Sequence, residues 1–409
     1  MYCRRGGTAA PGVSFGSRPE PLNPLDFFLR TILIRVIGMQ LTVISSLDAL
    51  CRQQACHEAA EANPGAVVVL HDLLENGVVI RRIAGHSGLV ERSETQLEHG
   101  CLSCTVRLDL VPAIERLLDR GEAEVIVGLP PAVSAEAAIG ALRRGLSRPV
   151  TIGSAVLACA ADTLEDHIWD RHTLFESGFT PVPEDQRTAG EFLIGELAFT
   201  DTVLLADVDL FPADPALRVR GTQLVRELAP HADVVEHAAH IRPGRHDYQD
   251  ALGRTVPGTV RIPASSATSP FTTVAHRARR PLHPERFRDA LTTLAEGCCW
   301  LRGRLWIAAA PKCRIAIQGI GPRVWLENTG PWLADQDVGA VPDPLNHVDA
   351  HLDWHEEHGD RGSVLAATGE GIDPAEIARL LSACELTDAE MEAGFAGLAD
   401  PFRLDSAPS

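Results

Sequence analysis

From Met39 onward, short apolar runs rich in β-branched residues alternate with stretches of helical period. The runs "LTVIS" (41–45), "AVVVL" (66–70), "VVIRRI" (78–83), "AEVIVG" (123–128), "TIGSAVLA" (151–158), "DTVLLAD" (201–207) and "ADVVE" (232–236) predict strands, because continuous apolar segments of this length bury both faces. Amphipathic helices lie between several of them. In "LDLVPAIERLLDRG" the spacing puts Leu110, Ile114, Leu117 and Leu118 on one face, offers Asp109 as N-cap and lets Gly121 end the helix. The alternation predicts an α/β fold, a mainly parallel sheet covered by helices.

Toward the C-terminus the pattern changes. Pro, Gly, Ser and Thr accumulate between Arg242 and Ser269 and predict a linker, placed at 246–269. Beyond it, "FTTVAHRARRP", "RLWIAAA", "RIAIQGI" and "RVWLE" read as short strands, with helices at "HPERFRDALTTLAEG" and "DPAEIARLLSAC". This mixture predicts a smaller α+β domain. "LTDAEMEAGFAGL" carries Thr387 and Glu390 at capping-box spacing. The expected organisation is an extension at 1–38, an α/β domain at 39–245, the linker, a second domain at 270–400 and a tail at 401–409. The extension is Gly-, Pro-, Ser- and Arg-rich without periodicity and is expected to stay disordered, with Met39 as the expected start of translation.

Composition narrows the possible functions. With 409 residues, 45% hydrophobic and 22% charged, the chain can bury two cores. Its formal net charge of −18 repels phosphate backbones and no basic stripe interleaved with aromatics offsets it, which argues against direct DNA or RNA binding. The apolar run "DFFLRTILIRVIG" (26–38) is too short to span a bilayer and contains Arg30 and Arg35, so no membrane insertion is expected. Ten cysteines, mostly isolated, point to a reducing cytoplasm rather than a disulfide framework.

One thiol pair stands apart. "LEHGCLSCTVRLDL" (97–110) holds Cys101 and Cys104, and a Cys-x-x-Cys on a tight turn offers zinc two sulfur ligands at fixed geometry. Two ligands do not close a tetrahedron; Glu98, His99, His71 or a residue of a partner chain are the candidates to complete it. Two buried small hydrophobes are the second reading, and a redox pair activated by the following helix is the third. A further candidate metal patch is His347, His351 and His355, four residues apart, with His358 three further on. On a helix these would share one face and chelate zinc in pairs, a solvated acidic helix with Trp354 packed inward being the equal alternative. Cys298 and Cys299 are assigned to the core. No nucleophile elbow, zincin helix or carboxylate pair is present, so no catalytic residue is assigned.

Taken together, the thiols and the C-terminal pattern resemble the CobW-like family of metal-handling P-loop GTPases. "GCLSCTVRLDLVPAIERLL" (100–118) is similar to that family's Gly-Cys-x-Cys-Cys turn and helix, with Ser103 in place of the middle cysteine. "VIVGLPPAVSAEA" (125–137) resembles its second acidic-strand motif, and "RRPLHPERFRDAL", "WLRGRLWIA", "WHEEHGDRGSVLAATGEGID" and "LSACELTDAE" follow the order of its C-terminal domain. The family's P-loop falls on "SLDALCRQ", where Ser46 and Cys51 stand for glycines, Arg52 for the lysine and Gln53 for the hydroxyl residue, while Asp48 adds a negative charge. Its Asn-Lys-x-Asp falls on Ala206, Asp207, Val208 and Asp209. The resemblance therefore implies a degenerate GTPase-like domain and a CobW C-terminal domain, zinc as the metal, and no retained use of GTP or magnesium. Through an actinobacterial branch without a P-loop, it also implies a non-catalytic adaptor that recruits a ribosome hibernation factor to the ribosome when zinc is scarce. The alternatives are a zinc metallochaperone of the GTPase family that delivers metal to a client, and a generic interaction module.

Overall fold

A computed structural model describes residues 38–98, 100–206, 213–262, 269–336 and 354–404. The expectations for 1–37, His99, Asp207 to Asp209, His347, His351 and 405–409 lie outside the described residues.

The first domain runs β1 (Gln40–Ser46), α1 (Ala49–Ala62), β2 (Val67–Leu73), β3 (Val78–Gly85), β4 (Gly88–Gln96), α2 (Leu102–Thr105), α3 (Val111–Arg120), β5 (Glu124–Gly128), α4 (Ala135–Gly145) and β6 (Thr151–Cys159). It continues with α5 (Leu164–Trp169), α6 (Ala189–Phe199), β7 (Thr202–Leu205), α7 (Pro215–Leu228), β8 (Asp233–Val235) and α8 (Tyr248–Thr255). Its strands form one sheet in the order β4-β3-β2-β5-β1-β6-β7-β8. The pairs from β2 through β8 are parallel, and β3 and β4 add an antiparallel hairpin at one edge.

Both faces of the parallel core are covered, as its continuous apolar strands require. Leu41, Val43, Val125 and Val127 face Ile114, Leu117, Ile139 and Leu142 of α3 and α4, while Ile44, Ile126 and Val156 face Cys51, Ala55 and Cys56 of α1. Gly121 ends α3 at φ +79°, as expected.

The second domain is an antiparallel sheet, β12-β11-β10-β13-β9, built from β9 (Phe271–Ala278), β10 (Cys298–Leu305), β11 (Cys313–Ile320), β12 (Arg323–Pro331) and β13 (Ser363–Glu370). Helices α9 (Pro284–Ala295) and α10 (Pro374–Cys384) cover one face. The other packs Phe271, Cys299, Trp300 and Ile320 against Phe192, Leu193 and Leu224 of the first domain. Arg220 of α7 bridges Glu165 and Glu370, so ion pairs reinforce the contact between domains. A last helix, α11 (Asp388–Ala393), begins at the expected capping box of Thr387 and Glu390. Among the described residues no helix is long and apolar enough to cross a membrane.

Several expectations change. Residues 246–269 are not all linker: α8 lies there, and Tyr248, Ala251 and Leu252 pack on the first domain's core. The tail is not free at its start, since Leu404 is buried with α9 and α10 and its carbonyl accepts from Asn328. "RLWIAAA" is not a strand beyond Leu305; the strand is the preceding "CCWLRGRL". Asp109 does not cap a helix. The helical path begins at Cys101 and passes through a π turn, Val106–Leu110, into α3.

Candidate functional site

The loop between β1 and α1 occupies the place of the expected P-loop. Asp48 is the N-cap of α1, and its Oδ1 accepts from the N–H groups of Leu50 and Cys51, both at 2.8 Å. The helix N-terminus, the natural anion-binding point of such a loop, is thus capped by the chain's own carboxylate. Arg52 does not face that point. Its side chain is 1% exposed and donates to the carbonyls of His71 (2.6 Å) and Leu129 (3.0 Å) and to the Asp72 carboxylate. Burial pushes the Asp72 carboxyl upward, but Arg52 and Arg82 outweigh it and hold the group below the usual range.

Beside this loop lies a cavity of about 290 Å³ lined by Ser46, Asp48, Cys51, Cys159, Asp162 and His167 among others, with no Lys or Arg among the described residues of its wall. Burial drives the Cys51 thiol far above its ordinary range and the Cys159 thiol up to about 12, so both stay protonated.

The thiol turn is built from two directions. Gly100 packs backbone to backbone against Gly77, which holds φ +75° in the turn between β2 and β3. Cys101 then caps α2, its Sγ accepting from the N–H of Cys104 at 3.2 Å and lying 3.3 Å from the Ser103 hydroxyl. Burial opposes ionisation of Cys101, yet the hydrogen bonds from Cys104 and Ser103 prevail and lower its pKa. Cys104 moves the other way, chiefly because its own thiol is hydrogen-bonded to Cys101. The pair titrates as a unit in which Cys101 gives up its proton first. Both thiols are partly exposed, and Cys104 rests against the small cluster of Leu73, Val79 and Leu97.

Behind the turn is a buried charged network that sequence spacing did not reveal. Asp109 accepts from His71 Nε2 (2.9 Å), Arg81 (2.6 Å) and the Thr95 hydroxyl (3.0 Å), and Arg81 also pairs with Glu91. Burial favours a protonated Asp109, but His71 and Arg81 win and hold it at about 2. His71 is fully buried in this network with its Nδ1 lacking a hydrogen-bond partner, and desolvation keeps its pKa below the usual value.

Only part of the expected ligand set is brought together. Cys101 and Cys104 are adjacent and Glu98 is exposed on the same turn, but among the described residues no group of three His, Cys, Asp or Glu side chains is arranged to hold a metal ion. The C-terminal patch also differs from its expected form. His355 and His358 lie across a tight turn rather than on a helix, because His355 and Gly359 exchange backbone hydrogen bonds of 2.7 and 2.8 Å. Their rings stack at 5.0 Å, and Trp354, expected inside, is 54% exposed.

Comparison with known proteins places these features. Residues 59–236 match the CobW/HypB/UreG nucleotide-binding domain, and residues 271–385 match the cobalamin synthesis protein cobW C-terminal domain. A protein of Mycobacterium tuberculosis named a zinc chaperone is 31% identical over 83% of this chain and 87% of its own length. One of Dictyostelium discoideum named zinc-regulated GTPase metalloprotein activator 1 is 23% identical over 81% of this chain and 75% of its own. The solved Zn(II)-bound YjiA GTPase from E. coli shares 12% identity over 85% of this chain and 99% of its own, with a TM-score of 0.33, too slight a likeness to bear on function. The chain belongs to the CobW family, with a CobW/HypB/UreG-type domain followed by a CobW C-terminal domain.

Proposed function

We propose that the protein is a non-catalytic, zinc-responsive adaptor whose Cys101–Cys104 turn takes zinc as cargo or signal. The observation that carries this reading is the pairing of an open two-thiol turn with a nucleotide loop closed on itself. Cys101 is poised to ionise and Cys104 stands beside it, which supplies half of a tetrahedral sulfur site. The remaining positions are left to His99, to Glu98 or to a partner protein, as an exchangeable site requires.

The same geometry argues against GTP chemistry. Triphosphate needs backbone N–H groups, a lysine and a hydroxyl directed at it. Here Asp48 takes the N–H groups, Arg52 is buried elsewhere and Gln53 replaces the hydroxyl residue. The described wall of the adjoining cavity adds the carboxylates Asp48 and Asp162 and no Lys or Arg, charges that oppose a triphosphate there.

In its finer form the proposal holds that the adaptor acts in the cytoplasm under zinc limitation by recruiting a ribosome hibernation factor. The names of its relatives favour a second reading, a zinc chaperone that hands metal to a client. Affinity capture from zinc-starved and zinc-replete cells separates the two. Hibernation factors and ribosomal proteins enriched by the wild type and lost with Cys101→Ala/Cys104→Ala support recruitment. A zinc enzyme captured instead, or GTP turnover by the purified chain, contradicts it.

A further inference from the structure

The outer strand of the second domain is free for a role that the zinc reading neither uses nor requires. We propose that β12 pairs antiparallel with β12 of a second copy of this chain, joining the two five-stranded sheets across a twofold axis at Trp325.

The register of β11 and β12 shows which backbone groups are available. Ile320 and Arg323 enclose a two-residue turn and so form a hydrogen-bonded pair, as do Gln318 with Trp325 and Ala316 with Glu327 further along. Val324 and Leu326 lie between these pairs and direct their N–H and C=O groups away from β11. β12 ends its sheet, and among the described residues no other backbone pairs with that outer edge. The side chains alternate in direction. Val324 and Leu326 turn to the cluster packed with α9 and α10, whereas Trp325 stands on the opposite side, 37% exposed. An exposed tryptophan on an open edge strand is a template for pairing with another chain.

The segment "RVWLE" is its own complement. In an antiparallel pair, residues that direct their backbone groups outward must face others that do the same, so odd positions oppose odd and even oppose even. Centred on Trp325, Arg323 faces Glu327 of the second copy and Glu327 faces its Arg323. Val324 and Leu326 of each copy then exchange four backbone hydrogen bonds. The two Trp325 side chains meet at the axis as a non-hydrogen-bonded pair, their Cβ atoms about 5 Å apart. Moving the centre to Val324 sets Arg323 against Trp325, and moving it to Leu326 sets Trp325 against Glu327, so both neighbouring registers lose the opposite-charge pairs.

Glu327 is exposed and makes no hydrogen bond or ion pair among the described residues. Arg323 is already held, its Nη1 donating to the Gln186 carbonyl at 2.8 Å and lying 3.3 Å from Glu191 of α6. The dimer therefore does not rest on an unsatisfied arginine. The open backbone edge and Trp325 supply the attachment, and the charges of Arg323 and Glu327 choose the register. The stretch from Pro322 to Asn328 is a small interface, so the dimer is of the weak, transient class. Each copy carries a net charge of −18, and the repulsion between exposed charges is screened over about 8 Å at physiological ionic strength.

The test is sedimentation velocity of the full chain at physiological ionic strength, with a zinc chelator present, from roughly 1 to 100 μM chain. A monomer–dimer equilibrium is expected for the wild type, weakened at least tenfold by Trp325→Lys and by Glu327→Arg, both at exposed positions where the fold tolerates the change. Arg288→Gln on α9 and Cys101→Ala/Cys104→Ala should dimerise as the wild type does, which separates this contact from any zinc bridge through the thiol turn. A monomer at every concentration, a dimer unaffected by Trp325→Lys and Glu327→Arg, or a dimer lost with the two thiols overturns the assignment.

Discussion

A β-carbon on Gly100 would lie 2.6 Å from the Cα of Gly77, and one on Gly77 would lie 2.9 Å from the Cα of Gly100. No side chain fits between the two turns, so this contact fixes where the thiol pair emerges from the sheet. Gly100→Ala must push the thiol turn outward. A loss of about 1–3 kcal/mol is expected from such overpacking, together with weaker zinc binding. Urea unfolding and a zinc titration measure the two effects. Gly195→Ala, which meets nothing within 4 Å, should leave zinc binding intact.

Asp109 is the anion that makes Arg81 and His71 tolerable beneath the site. Asp109→Ala leaves Arg81 with Glu91 as its remaining carboxylate partner and strips His71 Nε2 of its acceptor, at a cost of about 1–3 kcal/mol. Because the fold depresses the Asp109 pKa from 3.8 to about 2, its contribution is complete above 3.8 and is lost as pH falls toward 2. Acid unfolding of the wild type should therefore show a steeper decline in stability through that window than Asp109→Ala, which keeps only the share of the other depressed carboxylates such as Asp72.

Glu196 gives the opposite sign. It is fully buried in α6, hydrogen-bonded to Ser45 and to the N–H of Ala135, and desolvation pushes its pKa up to about 7. The folded state thus holds a proton that the unfolded chain has released above 4.5, and stability falls as pH rises from 4.5 to about 7. Glu196→Gln keeps hydrogen-bonding capacity without the charge. Melting curves at pH 5 and pH 8 should differ less for this variant than for the wild type.

The thiols of one turn should react unequally. Cys101 ionises before Cys104, while Cys51, Cys56 and Cys159 are buried and raised. Limited iodoacetamide labelling followed by peptide mapping should modify Cys101 before Cys104, and zinc should protect it.

Much of the first domain was legible because its strands are apolar on both faces. Strand β4, "GLVERSETQ", was not, since as a half-exposed edge it carries Glu91, Arg92 and Glu94 and no continuous apolar run. Strand β10 was shifted because Arg302 and Arg304 look like surface residues, although Arg302 is buried over Trp300 and donates to Thr368. The Cys-x-x-Cys announced itself by spacing. Its surroundings did not, because Gly77 reaches Gly100 from the β2–β3 turn, and Asp109, which local pattern offered as a cap, answers instead to His71 and Arg81 on β2 and β3.

The central claim is that Cys101 and Cys104 hold zinc on a body that does not require nucleotide. Competition titration of the purified chain against a zinc chelator, with and without GTP and magnesium, tests it most directly. The account predicts one zinc bound by the wild type, unaffected by GTP, and none by Cys101→Ala/Cys104→Ala. Equal zinc binding by the double variant, or zinc binding that appears only with GTP and magnesium, would contradict it.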